Sequence, residues 1–254
     1  MPAETETTED AVLAGRLVLR QPRRGHRFGH DAILLAAAVD ATGGDTAVEF
    51  GAGVGAAGLA LAQRLPRLAV VLVEMDAALA GLARENAARN GLADRVRIAT
   101  LDVNAGAPEF ARAALPPESA NHVLMNPPFN DPARQNVSPD ATRRLAHVGT
   151  GATLTRWVAR ASSLLMRSGT LTLIWRADGL GEVLAALAGF GGISVLAVHP
   201  RPSLPAIRVL VRAIKGSAAP LTLLPPLLLN DAEGKPSAAA EAILRGAEPL
   251  PMMP

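Results

Sequence analysis

Asn126, Pro127, Pro128 and Phe129 stand in a row directly after the apolar run 121–125, and their types suit one kind of chemistry. An amino group attached to a flat, electron-poor ring donates its lone pair into that ring and is a poor nucleophile. A side-chain amide oxygen, from Asn126, and a main-chain carbonyl, from Pro127, can each accept one of its N–H bonds. That pulls the nitrogen toward a tetrahedral shape and aims its lone pair at an incoming methyl group. Pro127 and Pro128 fix the backbone and bring no competing N–H donor, and Phe129 can lie on the face of the ring. Asn-Pro also opens ordinary turns, so the tetrapeptide carries weight only if a methyl-donor site precedes it.

Glu49-Phe50-Gly51-Ala52-Gly53-Val54-Gly55 is the candidate for that site. Glycines let the backbone turn tightly and come close to a ligand, and a helix opening just after them offers unpaired N–H groups. Gly53 to Gly58 also matches the dinucleotide fingerprint. Glu74 ends the next strand at the spacing of a residue that grips ribose hydroxyls. These features fit NAD and S-adenosylmethionine alike, because both carry adenosine. Three points favour the methyl donor. Glu49 just before the glycines suits an ammonium better than a pyrophosphate. Asp102 ends the third strand, where it can accept from an adenine amine. The fourth strand ends in the amine-orienting tetrapeptide, at the switch region where such sheets bind ligands. Taken singly, a strand-end Asp is as readily a helix cap; the ordered series carries the reading.

The elements that must position these residues alternate. Strands are expected at 16–20, 47–50, 68–73, 95–100, 121–125, 170–175, 193–199 and 207–214, and helices at 31–39, 56–65, 77–90, 154–166 and 180–188. Alternating β and α implies an α/β fold, a parallel sheet with helices on both faces. The last two long strands are joined by a short loop, so they predict a closing antiparallel pair. Residues 130–150 read as a long polar loop. Residues 1–12 are expected to be a disordered tail. Residues 13–254 then form one domain: a strand and helix extension at 13–45, a core at 46–215, and a C-terminal extension at 216–254. In that extension, 221–229 reads as an added strand and 237–245 as a short helix.

Composition narrows the classes. With 254 residues, 49% of them hydrophobic, the chain can bury a substantial core. The absence of Cys excludes disulfides and thiolate metal sites, and five scattered His show no metal-ligand spacing. No apolar stretch is long enough to span a membrane, and the acidic start is unlike a secretory signal, so a cytoplasmic protein is expected. Net charge is only +2, and of 25 basic residues all but Lys215 and Lys235 are Arg. That balance is compatible with RNA without demonstrating it.

On these residues the chain resembles class I S-adenosylmethionine-dependent N-methyltransferases with an Asn-Pro-Pro-aromatic motif, which have a Rossmann-like seven-stranded sheet. It is most similar to the bacterial family that methylates N6 of an adenosine beside the anticodon of valine tRNA. The likeness includes Gln21-Pro22, Gly25, the run from Arg27 to Leu35, and the late strand from Ala206 to Val211. It implies that Phe28 and Asp31 help enclose the donor. Glu49, Gly51, Gly53 and Gly55 would hold its methionine part, Glu74 its ribose, and Asp102 its adenine, with Met75 and Val103 also among the donor-binding residues. Asn126, which borders the donor, and Pro127 would orient the amine, with Pro128 and Phe129 completing the tetrapeptide. Arg134, Arg143 and Arg144 on the long loop, and Arg201 near the last hairpin, are the candidate RNA contacts. A monomer acting on RNA, in particular tRNA, is the expectation. Guanine-N2 enzymes of ribosomal RNA, glutamine methyltransferases of release factors, an NAD-dependent oxidoreductase and a non-catalytic RNA-binding protein are the alternatives.

Overall fold

The structure, a computed structural model, describes residues 6–24, 27–128 and 151–253. Two N-terminal strands, β1 (Thr7–Val12) and β2 (Leu17–Pro22), form an antiparallel hairpin. Helix α1 (His30–Ala37) follows. Then come β3 (Thr46–Phe50), α2 (Ala56–Arg64), β4 (Ala69–Glu74), α3 (Ala77–Arg89), β5 (Val96–Thr100), α4 (Ala107–Arg112) and β6 (Ala120–Met125). Beyond the long loop lie α5 (Gly151–Leu164), β7 (Leu165–Arg176), α6 (Leu180–Ala186), β8 (Phe190–His199) and β9 (Arg208–Lys215). Two short strands, β10 (Thr222–Leu223) and β11 (Leu227–Leu228), and α7 (Ala238–Leu244) end the chain.

The sheet runs β5-β4-β3-β6-β7-β9-β8, with β10 and β11 both added in parallel on β8. Only β9 runs against the others, so the expected closing hairpin is present. Strand residues alternate between two cores, as a two-sided sheet requires. Val48, Phe50, Val71, Val73, Val123 and Met125 face the layer of α4, α5 and α6. Ala47, Val70, Leu72 and Leu124 face the layer of α1, α2, α3 and α7. Chain order moves outward from β3 to β5, then returns to the other side of β3 with β6. In sheets of this kind such a reversal leaves a crevice at the C-terminal ends of the two strands that flank it, here β3 and β6. No helix among the described residues is long and apolar enough to cross a membrane.

Four expectations are corrected. Residues 7–12, expected in a disordered tail, form β1. Their sequence has no apolar alternation; the strand exists because its main chain pairs with β2 and Asp10 accepts from Thr8, Gln21 and Arg27. Residues 107–112, where no helix is among those expected, form α4; its Pro108 lies in the first turn, where proline is tolerated. The expected strand at 221–229 is split into β10 and β11 by Pro225-Pro226, which cannot donate to a ladder. Strand β7 begins five residues before the expected 170–175, directly where α5 ends.

The hairpin is held by a side-chain substitute for a third strand. Asn86 accepts from the N–H of Arg20 (2.7 Å) and donates to its carbonyl (2.9 Å); Asn90 does the same to Val18 (2.9 and 2.8 Å). Neighbours four apart on a helix stand about 6 Å apart, close to the span of two residues along a strand. The amides of α3 therefore match the repeat of β2. Asn86 is fully buried and also donates to the carbonyl of Val54 (3.0 Å), inside the glycine turn. Asn86→Ala leaves three main-chain groups unpaired and should cost about 2–4 kcal/mol, against about 1–2 kcal/mol for Asn90→Ala. Urea denaturation of the two variants checks the difference.

Candidate active site

The crevice is lined first by the turn after β3. Gly51, Gly53 and Gly55 have φ of 65°, 56° and 88°, left-handed values that side chains disfavour. A Cβ at Gly51 would lie 2.6 Å from Cη2 of Trp157, whose ring packs against the turn from α5. Gly55 is the N-cap of α2 and has no side chain to cap it. The cap comes instead from the preceding strand: the N–H of Gly58 donates to Glu49 Oε2 (2.7 Å). Gly58 is small for this reason, since a Cβ there would stand 2.7 Å from that oxygen and 2.3 Å from Leu72 Cδ2. Glu49 thus lies under the turn, 5% exposed, on the core face of β3 shared with α2. Burial pushes its carboxyl up to about 8, the Gly58 N–H opposes that, and the nearby Glu74 adds to it.

Glu74 ends β4 beside the same turn. Its Oε2 accepts from the N–H of Gly53 (2.7 Å) and its Oε1 from that of Asp76 (2.8 Å). Burial raises its pKa, and these N–H groups hold it back. The Met75 N–H also acts on it; a carboxylate has about four lone-pair sites, so capacity remains for a further donor. Met75, next along, is 56% exposed, an unusual state for a large apolar side chain. Asp102 accepts from Asn104 through Oδ1 alone, and Val103 is buried beneath it. Glu49, Glu74 and Asp102 therefore stand at or just beyond the ends of β3, β4 and β5, as the sequence led one to expect. Their shared commitment to backbone N–H groups was not legible there.

On the other side of the crevice, β6 pairs with β3 so that Met125 lies opposite Phe50. Asn126 and Gly51 therefore leave the sheet side by side. Asn126 Oδ1 is buried with no hydrogen-bond partner among the described residues. Buried polar atoms are normally paired; an acceptor left unpaired beside the glycine turn fits a site that a bound molecule completes. Pro127 is buried and Pro128 half-buried. Phe129, Arg134, Arg143 and Arg144 lie outside the described residues.

The segment before α1 closes toward the same edge. Phe28 is half-buried against the α1 and α2 core, and its N–H donates to the buried Gln21 Oε1 (3.2 Å). Arg27 is held by Asp10 (2.8 Å). Asp31 lies in the first turn of α1 and does not cap it; its Oδ2 pairs with Arg208 Nε (2.8 Å) at the start of β9. That ion pair joins two stretches, 27–35 and 206–211, that are far apart in sequence. Asn86, Asn90, Trp157 and Arg208 were missed as supports of the site. Only the polar i, i+4 pair in an Ala-rich helix carried a signal.

Order of strands, a glycine turn at the reversal and an open Asn-Pro-Pro amide define a class I methyltransferase type of crevice, and the family comparison agrees. The chain belongs to the methyltransferase small domain family, whose model matches residues 27–197. It is 33% identical over 161 residues to a tRNA1(Val) (adenine(37)-N6)-methyltransferase of Porphyromonas gingivalis, covering 62% of this chain and 61% of that one. A protein of the same name from Trichodesmium erythraeum is 28% identical over 79% of this chain and 82% of its own. A release factor glutamine methyltransferase of Chlorobaculum tepidum is 31% identical over 64% and 56%. The chain spans slightly under two thirds of the length of the first curated relatives it matches. Among solved structures, a predicted O-methyltransferase from Agrobacterium tumefaciens superposes with a TM-score of 0.74 at 31% identity, over 87% of this chain and 98% of that one.

The carboxyl of Glu49 gives a pH test. In the unfolded chain it ionises near 4.5; in the fold it keeps its proton until about 8. The unfolded state therefore binds fewer protons between those values, and the stability it contributes is present below 4.5 and lost as pH rises through 8. Wild-type protein should lose melting temperature relative to Glu49→Gln across that window. Comparing the two cancels His122, whose pKa burial lowers and whose contribution has the opposite sign.

Proposed function

We propose that the protein transfers a methyl group from S-adenosylmethionine to the exocyclic N6 of an adenosine in RNA, in the anticodon loop of a tRNA, acting as a cytoplasmic monomer. The observation that carries this reading is the open Asn126 Oδ1 beside the glycine turn. Relatives named for adenine-N6 methylation of tRNA support the acceptor. The residues present fit the donor. Gly51, which is exposed, and Gly53, half-buried, leave backbone for its methionine part, with Gly55 buried behind them and Glu49 underneath. Glu74 has lone pairs for ribose hydroxyls, Met75 an exposed apolar side chain for a flat ring, and Asp102 a free oxygen for the adenine amine. Phe28 and Asp31 border this edge.

S-adenosylmethionine supplies an electrophilic methyl carbon on sulfur. The chain itself holds the acceptor. Asn126 Oδ1 takes one N–H of the amine and the Pro127 carbonyl the other, which turns the lone pair out of conjugation with the ring. Two acceptors fit an NH₂ group; a hydroxyl has one hydrogen to offer them. Neither oxygen is a strong enough base to keep a proton, so the proton leaves to solvent once the new bond forms. Rate then comes from positioning and from fixed dipoles. The target base is splayed from a loop, where unstacking costs least.

Asn126→Ala should bind S-adenosylmethionine within about twofold of wild type yet lose about 100-fold or more in turnover, the usual scale for one preorganised polar group. Calorimetry reads the first and labelled-methyl transfer to small RNA from a strain lacking the activity reads the second. Mass spectrometry of the nucleosides should give N6-methyladenosine. N2-methylguanosine in ribosomal RNA, or methylated glutamine in a release factor, would replace the acceptor.

A further inference from the structure

The β8–β9 loop, residues 200–207, rises beside the crevice. Met125 of β6 lies opposite Leu173 of β7, and Arg176, at the end of β7, lies opposite Arg208. Arg176 is three residues further along, so the loop base stands roughly 10 Å above the level of Met125. It is displaced by two to three strand spacings, roughly 10–15 Å. That is a wall at the side of the site, within reach of the neighbours of a nucleotide seated at Asn126.

The wall has a fixed shape. Pro200, Pro202 and Pro205 restrict its backbone. Leu204 donates its N–H to Arg201 O (3.2 Å), and its carbonyl meets His199 Nδ1 (2.8 Å). Ile207 N–H donates to Val198 O (2.9 Å). From outside, the C-terminal extension braces it: Leu229 N–H donates to His199 O (2.8 Å) and Asn230 Nδ2 to Pro200 O (2.9 Å). Gly234, with φ 87°, lets the Arg201 guanidinium lie against it, since a Cβ there would be 2.7 Å from Nη2.

What this wall presents is unlike ordinary surface. Leu204 is 45% and Ile207 43% exposed, although both sit on a braced loop. Arg201 is exposed and makes no ion pair with another described residue, whereas the neighbouring Arg176 and Arg208 are paired with Glu182 and Asp31. Two apolar side chains and one guanidinium without an ion pair among the described residues, on a rigid loop, match an unpaired RNA strand. Splayed bases and sugars offer apolar faces, and each phosphate offers one charge. A duplex would present its phosphates and hide the bases.

We propose that this loop is the second RNA contact of the protein: Leu204 and Ile207 lie against unpaired nucleotides flanking the target, and Arg201 neutralises one of their phosphates. The inference rests on the RNA reading above. It also gives the C-terminal extension a task, the bracing of that loop.

The test is binding of a hairpin RNA carrying adenosines in its single-stranded loop, measured by fluorescence anisotropy at several salt concentrations. Arg201→Ala should reduce the slope of log affinity against log salt by about one, the signature of one phosphate contact. The double variant Leu204→Ser, Ile207→Ser should weaken binding roughly tenfold with the slope unchanged, since apolar contact releases no counterions. Both should bind S-adenosylmethionine as wild type does. Wild-type affinity and slope in both variants would overturn the inference and leave the RNA reading standing. Failure of the wild type to bind or methylate any RNA, with methylation of a protein acceptor instead, would overturn both.

Discussion

A carboxyl group shut away from water, that of Glu49, ties the end of β3 to the first turn of α2. The glycine turn above needs three left-handed residues, so it cannot cap the helix it opens. Glu49 does so from below, through the N–H of Gly58. Because that contact fixes where α2 begins, it fixes the path of the turn. Glu74 then grips the same turn at Gly53. Two buried acids facing one short loop are electrostatically costly, and both raised pKa values record that cost. They are tolerated because main-chain N–H groups donate to both, that of Gly58 in the first turn of α2 to Glu49 and those of Gly53 and Asp76 to Glu74.

Around this turn the protein builds two braces from remote parts of the chain. On one side the N-terminal hairpin is clasped by Asn86 and Asn90, and Asn86 reaches on to Val54. The same hairpin holds Arg27 and Phe28 through Asp10 and Gln21. On the other side Arg208 pairs with Asp31 and so joins the last hairpin to the segment before α1. The stretches 27–35 and 206–211 share one duty. Each is one half of a contact that keeps the rim of the crevice in place.

Much of the site was legible. The strand–helix rhythm, the three glycines, the acids at the strand ends and Asn126 all sit where the sequence put them, because each is specified by neighbours within a few residues. The parallel sheet followed from the alternation, while its strand order, with the reversal between β3 and β6, did not. Less legible was β1, whose polar sequence carries no alternation and whose order comes from its partner strand. Glu49 read as a ligand for an ammonium, and its bond to Gly58 came into view only with α2 folded back onto β3. The split at Pro225-Pro226 was written in the residues but needed β8 to show that both fragments pair with the same strand.

By itself, then, the sequence determined the chemistry on offer and the order in which its carriers arrive along the chain. Those are local properties: a left-handed turn needs glycine, an amide acceptor needs Asn, and a strand needs its period of two. Only the tertiary structure decided which of these groups are spent on the protein and which are left open. Glu49 is consumed by a helix, Asp31 by an arginine 177 positions away, and Arg176 by Glu182. Among the described residues Asn126 Oδ1 has no hydrogen-bond partner, Met75 is exposed and Arg201 makes no ion pair. Whether a polar or apolar group is free is a matter of who stands beside it, and that is settled by packing between residues far apart in sequence.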